Sequence, residues 1–149
     1  MSLPDIRELV PHSGRMMLLE RLLAVEPDGL TAEVAIRDDS MFASASGVGA
    51  WVGIEYMAQA VAALAGFEAR QRGEPVKLGF LLGTRRYTCS RPEFALGSLL
   101  RVKVTRELQG ENGLASFACR IDGDGIEAEA TLTVFQPDNA EEFLRGNEV

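Results

Sequence analysis

One uninterrupted apolar stretch, residues 48–67, divides the chain into two parts with different patterns. Ahead of it, residues 3–10 predict a short helix that stops at Pro11, because a proline pushes the residue before it out of the helical region. Residues 16–26 are apolar-rich and extended, and the turn Pro27-Asp28-Gly29 closes them. Ala32, Val34 and Ile36 alternate with Glu33, Ala35 and Arg37, the two-residue period of a strand. Asp38-Asp39-Ser40 ends that strand. A loop of small residues, 43–49, leads into the apolar stretch, which predicts one central helix over about 49–72. Gln71-Arg72-Gly73-Glu74-Pro75 breaks it.

Everything after the helix reads as strand. Residues 77–89 form one long run, and Pro92 and Gly97 bracket a loop. Val102 and Val104 alternate with Arg101, Lys103 and Thr105. Gly110-Glu111-Asn112-Gly113 is a hairpin turn. Phe117, Cys119 and Ile121 alternate with Ser116, Ala118 and Arg120. After Asp122-Gly123-Asp124-Gly125, the residues Ile126, Ala128, Ala130, Leu132 and Val134 give the cleanest alternation in the chain. The pattern predicts a short N-terminal helix or loop over 1–15, two strands, the helix, a four-strand meander and a polar tail over 137–149. Alternating strands are half wet, and a helix that is apolar nearly all round must be covered on most sides. A single α+β domain over 1–149, with about five to six antiparallel strands curled around the helix, satisfies both. Pairing two such sheets edge to edge would remove an exposed strand edge.

The apolar stretch is long enough to span a bilayer, but it carries Glu55 and Gln59 near its middle. A carboxylate at that depth costs about 2.5–3.5 kcal/mol, and alanine returns little. It therefore reads as a buried helix and not a membrane span. The chain has 149 residues, 46% hydrophobic and 25% charged, as in ordinary globular proteins. Its net charge of -7 argues against nucleic acid as a partner. Cys89 and Cys119 form no close pair, and one histidine cannot complete a zinc site with them; both read as buried free thiols. No basic segment followed by an apolar run opens the sequence, so a cytoplasmic location is expected.

Glu55 is the most informative residue for chemistry. It lies in a helix with almost no other polar side chain, and burying an ionised carboxylate is costly. A carboxyl held in a dry cleft suits general acid or base work; the structural alternative is a cap on a neighbouring loop. Gln59, one turn later on the same face, holds either that carboxylate, a substrate carbonyl or buried backbone. Gly47 and Gly49 let a substrate approach the helix N-terminus, where N–H groups and the dipole favour developing negative charge. His12, the only histidine, is either a loop residue or a base. Arg85, Arg86 and Arg91 are either a solvated strand face or a docking patch for an anionic carrier or coenzyme A. Phe42, Trp51 and Phe80 are expected in the core or in the wall of an acyl pocket, whose depth also depends on Met57.

These residues match a known pattern. Pro11-His12 followed by Met17-Leu18-Leu19-Glu20-Arg21 is similar to the N-terminal motif of the hot-dog 3-hydroxyacyl-[acyl-carrier-protein] dehydratases, Pro-His-Arg and then Leu-Leu-Val-Asp-Arg. Ile54-Glu55-Tyr56-Met57-Ala58-Gln59-Ala60 resembles their central-helix motif, Glu-Ala-Leu-Ala-Gln. Residues 78–87 and 92–100 resemble the segments that follow. The sequence looks closer to a divergent branch of small dehydratase-like proteins associated with aryl polyene and related lipid pathways. The resemblance implies a double hot-dog dimer. It also implies Glu55 as the catalytic carboxylate, with the amide that polarises the thioester near Gly49 and Ala50. No metal or other cofactor is implied.

The family's second catalytic residue, a histidine in a Gly-His-Phe-Pro loop, is absent; by ungapped counting Met41 takes its place. Three routes around that loss are open. Glu55 performs both proton transfers, or His12 takes the missing role, or a paralogous dehydratase paired with this chain supplies the histidine. Two other functions compete with dehydration: an acyl thioesterase using Glu55 to activate water, and a non-catalytic acyl-binding subunit.

Overall fold

In the computed structural model of the chain, which describes residues 3–11, 14–75, 79–110 and 112–136, the alanine-rich segment forms one helix, α1 (Gly53–Gln71). A single 3-10 turn, Ala50–Val52, leads into it. Six alanines between Ala58 and Ala69 give it high intrinsic propensity. Its C-terminus is closed by Gly73, whose φ of +66° is the left-handed conformation that glycine adopts without strain. Gly66 has a packing reason: a Cβ there would stand 2.0 Å from the Leu9 carbonyl oxygen. The expected helix over 3–10 is only a 3-10 turn, Ile6–Glu8, started by the Asp5 side chain accepting from the Arg7 N–H.

Among the described residues eight strands accompany the helix: β1 (Arg21–Glu26), β2 (Gly29–Ala35), β3 (Gly47–Gly49), β4 (Phe80–Cys89), β5 (Glu93–Ala95), β6 (Leu99–Gln109), β7 (Leu114–Gly123) and β8 (Ile126–Phe135). Six build one antiparallel sheet in the order β1-β2-β6-β7-β8-β4. The fold is a hot-dog: α1 lies against the sheet's inner face, on Leu30, Ala32 and Val34 of β2, Leu100, Val102 and Val104 of β6, and the inward residues of β7 and β8. Strong turn residues fix the hairpins. Asp124 and Gly125 both have positive φ, the requirement of a two-residue turn that matches strand twist.

Two features depart from the sequence expectation. The second half is not a four-strand meander. Only β6, β7 and β8 run consecutively; β4 pairs with β8 at the far edge. Alternation gives a strand its faces but not its neighbours: β4 pairs with β8, and β5 pairs with β3 in a second small sheet. That small sheet sits directly before α1 and fixes where the helix starts. The polar tail expected over 137–149 lies outside the described residues.

The apolar helix is long and hydrophobic enough to cross a membrane by composition alone. Here its apolar surface is used inside the fold, with Tyr56, Met57, Ala60, Ala63 and Leu64 buried in the core.

Candidate active site

Glu55 stands in the first turn of α1, and the sheet does not seal it in. It is half-buried and lines a cavity of about 250 Å³ between helix and sheet. The helix wall is a stripe at three- and four-residue spacing, Glu55, Ala58, Ala62 and Ala65, with Val61 beside it. Small side chains there leave the space between helix and sheet unfilled. The opposite wall comes from one end of the sheet: Leu81 of β4, Ala115 and Phe117 of β7, and Val134 of β8. The result is a carboxyl group at an apolar cleft.

Gln59 is fully buried, and its carboxamide is used by main chain. Its Oε1 accepts from the Leu18 N–H at 2.9 Å and its Nε2 donates to the Met16 carbonyl at 2.7 Å. Of the roles weighed for it, the geometry supplies the backbone one: it fastens the N-terminal segment along α1. That segment includes Pro11, which lines the cleft of Glu55. His12 itself lies outside the described residues.

The amide expected to polarise a thioester is already engaged. The Ala50 N–H donates to the Pro92 carbonyl at 2.9 Å, and the Ala50 carbonyl accepts from the Tyr87 hydroxyl. The same hydroxyl explains Gly53, where a Cβ would lie 2.2 Å from it. Gly49 admits the Trp51 indole, whose Nε1 would be 2.6 Å from a Cβ at that position.

Trp51 and Phe42 are neither core nor lining of this cleft. Trp51 is 65% exposed and Phe42 47%. Their rings meet edge to face at 5.3 Å, and Phe42 takes a φ of +70° to make the contact. Met57 is fully buried and lies off the cleft wall. The Phe80 side chain lies outside the described residues.

Arg85 and Arg86 come together in a way that strand alternation forbids. A bulge interrupts β4 between Arg85 and Thr88, and Arg86 has a φ of +55°. Both residues therefore line one groove on the sheet's outer face with Glu107, Ser116, Thr131 and Thr133. A neighbouring recess brings Lys103, Arg120 and Glu129 beside Arg86. Arg91 belongs elsewhere, in a recess with Glu93 and Asp124.

Sequence reasoning missed Arg106, at the opposite end of the cleft from Glu55. Its Nη1 and Nη2 bind Glu68 near the end of α1, Nη1 at 3.0 Å, and Nη1 also reaches Asp28 at 3.0 Å. The guanidinium lies over the Phe117 ring, 5.4 Å from its centre. A charge in the middle of an alternating strand was the available signal. The small-residue stripe on α1 was the other.

Among the described residues both cysteines are free, Cys119 buried and Cys89 half-buried. Burial pushes the Cys119 thiol up to about 12 and raises both tyrosine hydroxyls, Tyr56 and Tyr87. Each group stays neutral in the fold at a pH where the unfolded chain ionises. Their contribution to stability is complete below the unfolded values, about 8.5 for a thiol, and is lost as pH rises through the folded ones. Melting temperatures are thus expected to fall progressively from about pH 9 upward. A melting temperature that stays flat through that range would contradict this account.

The sequence matches the family model described as ApeP-like, ApeP dehydratase, over residues 4–145. No curated protein matches it. Among solved structures the chain is similar to the dehydratase heterocomplex ApeI:P from Xenorhabdus doucetiae. Identity is 29% and the TM-score 0.88, over 99% of this chain and 100% of that one. AziG from S. sahachiroi is 11% identical with a TM-score of 0.60, over 78% of this chain and 90% of that one. A hypothetical thioesterase from Streptococcus pneumoniae, solved with coenzyme A, is 13% identical with a TM-score of 0.55, over 78% and 84%. The last two likenesses show the fold alone.

Proposed function

Because the chain belongs to the ApeP-like dehydratase family, we propose that it eliminates water from a 3-hydroxyacyl thioester to give the trans-2-enoyl thioester. The observation that carries this reading is Glu55 at the apolar cleft between α1 and the sheet. In the proposed reaction a base takes a proton from C2, the C2=C3 double bond forms, and the C3–O bond breaks. The hydroxyl leaves with a proton as water. Glu55 is the group at the cleft that takes the C2 proton and returns one to the leaving hydroxyl. The apolar walls of alanine, valine, leucine and phenylalanine suit an acyl chain.

A second reading is favoured by the likeness to a heterocomplex and by Met41 standing where the family has its loop histidine. In it, a paralogous dehydratase pairs with this chain and supplies the histidine to Glu55. The outer edge of β4, where Leu81 and Leu82 are exposed, is the edge along which a second hot-dog subunit would add. His12 is the in-chain candidate for the same role, since its neighbour Pro11 lines the cleft. Mass spectrometry of a 3-hydroxyacyl carrier-protein thioester separates these readings. Water loss with the chain alone supports the first, and water loss only after adding the paralogue supports the second. A cleaved thioester with its hydroxyl intact makes the protein a thioesterase and overturns both.

The acyl group is proposed to arrive on a carrier protein or coenzyme A. In an acidic chain, recognition of an anionic carrier must be local. Arg85 and Arg86 supply it, held on one face by the β4 bulge. Reversing both to Glu is expected to raise KM for the carrier-borne substrate at least about tenfold, with the melting temperature kept. An unchanged KM would remove the arginines from the docking site. Arg91, on a separate recess, is expected to contribute less.

A further inference from the structure

We infer that Tyr87 is a positioning residue for Glu55: its hydroxyl, bonded to the Ala50 carbonyl, anchors the turn that leads into α1. The step it serves rests on the dehydratase reading, but the anchor does not.

Helix α1 begins without a side-chain cap. Gly49, before the 3-10 turn, has no side chain to offer, and Val52 has no polar atom to cap with. A start of this kind must be held by other groups. Here they come from one stretch of chain, between β4 and β5. The Pro92 carbonyl accepts from the Ala50 N–H at 2.9 Å, and the Tyr87 hydroxyl donates to the Ala50 carbonyl. Ala50 is thus held at both of its backbone polar groups. Its carbonyl also accepts from the Gly53 N–H, so the tyrosine bonds the same oxygen that closes the turn. Glu55 follows two residues later.

Two local features make the contact possible. The first is the β4 bulge. Arg85 pairs with Thr131 and Thr88 with Glu129, so Arg86 and Tyr87 share the place opposite Ala130. With Arg86 at a φ of +55°, uncommon for a residue with a Cβ, Arg86 stays exposed while Tyr87 packs against the core. The second is Gly53. A Cβ there would collide with the Tyr87 hydroxyl, with Ile121 and Phe94 atoms close behind at 3.2 Å. The helix therefore starts on a poor helix former, at the position the hydroxyl needs. Without that hydroxyl the turn keeps its own hydrogen bond but loses its tie to β4. The Glu55 carboxyl has to meet one carbon-bound proton, and a displacement of about 1 Å at a reacting group costs up to about 10²-fold. The acyl walls, among them Ala62, Ala65, Phe117 and Val134, lie beyond this turn, so the anchor serves the chemical step and not chain binding.

The test is Tyr87→Phe, which removes one oxygen and keeps the ring. Amide hydrogen exchange on the full chain is expected to quicken about five- to tenfold at Gly53, Ile54 and Glu55, the effect of one lost hydrogen bond, and to stay unchanged at Leu64 and Ala69. With a 3-hydroxyacyl carrier-protein thioester, and with the paralogue present if activity needs it, kcat for water loss is expected to fall roughly ten- to a hundredfold while KM stays within about twofold. Leu22→Ala, in the core on the opposite edge strand β1, controls for lost stability. It should lower the melting temperature at least as far and leave kcat unchanged at a temperature where all the proteins are folded. Exchange that rises evenly along α1 or not at all, an unchanged kcat in Tyr87→Phe, or an equal loss of kcat in Leu22→Ala each overturn the inference. If Leu22→Ala does not fold, the exchange contrast within α1 still decides. If the wild type loses no water in either combination, the dehydratase reading fails, and the same contrast decides for or against the anchor.

Discussion

Glu55→Gln is expected to lower water loss from a 3-hydroxyacyl thioester by roughly 10²–10⁴-fold, the range for removing a general acid or base. Glutamine keeps the size and shape of the side chain but cannot take a proton from carbon. Because Glu55 is half-buried at the cavity wall and not sealed in the core, the substitution should leave the melting temperature within about 2 °C of the wild type. Chain binding should survive as well, since the apolar walls are untouched. The paired measurement is product mass and thermal denaturation on the same sample. Water loss at the wild-type rate in a folded Glu55→Gln protein would show that the base lies elsewhere. If a paralogue is needed for activity, the comparison is repeated with it present, and the expected loss is the same.

Gln59→Leu has the largest expected effect on stability. Leucine fits the space but takes away the partner of the Leu18 N–H and of the Met16 carbonyl, both part-buried. A fully buried orphan costs about 1–3 kcal/mol, and these two part-buried groups lie toward the lower end, so the cost is roughly 2–4 kcal/mol, which is on the order of 10 °C in melting temperature for a chain of this size. Gln59→Glu gives a sharper contrast. It retains an acceptor for Leu18 but, when ionised, faces the Met16 carbonyl with a second acceptor. It should therefore destabilise more at neutral pH than in mild acid, where the carboxyl is protonated and can donate. Melting curves indistinguishable from the wild type for both variants would mean that the N-terminal segment is held by other contacts.

Much of this was legible in the residues. The apolar stretch with its closing glycine gave the helix, and the alternation around Val102, Cys119 and Ala130 gave the strands and their inner faces. Glu55 stood out because a lone carboxyl in an apolar helix needs a reason, and it does reach a cleft. What failed depended on distance along the chain. Alternation cannot report that β4 pairs with β8. Hydrophobicity placed Trp51 and Phe42 inside, but the turn before α1 carries Trp51 outward, where it packs on Phe42 of the loop before β3. Gln59 could not be resolved between ligand and backbone because both roles ask for the same buried carboxamide. The engaged Ala50 amide was invisible for a related reason: its acceptor is the carbonyl of Pro92, more than forty residues on.

The sheet order also sets the sequence of events by which the molecule can assemble. Strand β4 is synthesised before β6 and β7, yet its neighbour in the sheet is β8, the last strand described. While the chain is being made, α1 and β4 leave the ribosome with one of the two flanks they need still missing. The hairpin β1–β2 can form early, but the α1 surface that rests on β7 and β8 stays uncovered until residue 135 is out. Such long-range closure makes folding slow relative to helical proteins of similar size. It also leaves an apolar helix and an unpaired strand exposed together for that interval, the combination most inclined to seek another chain.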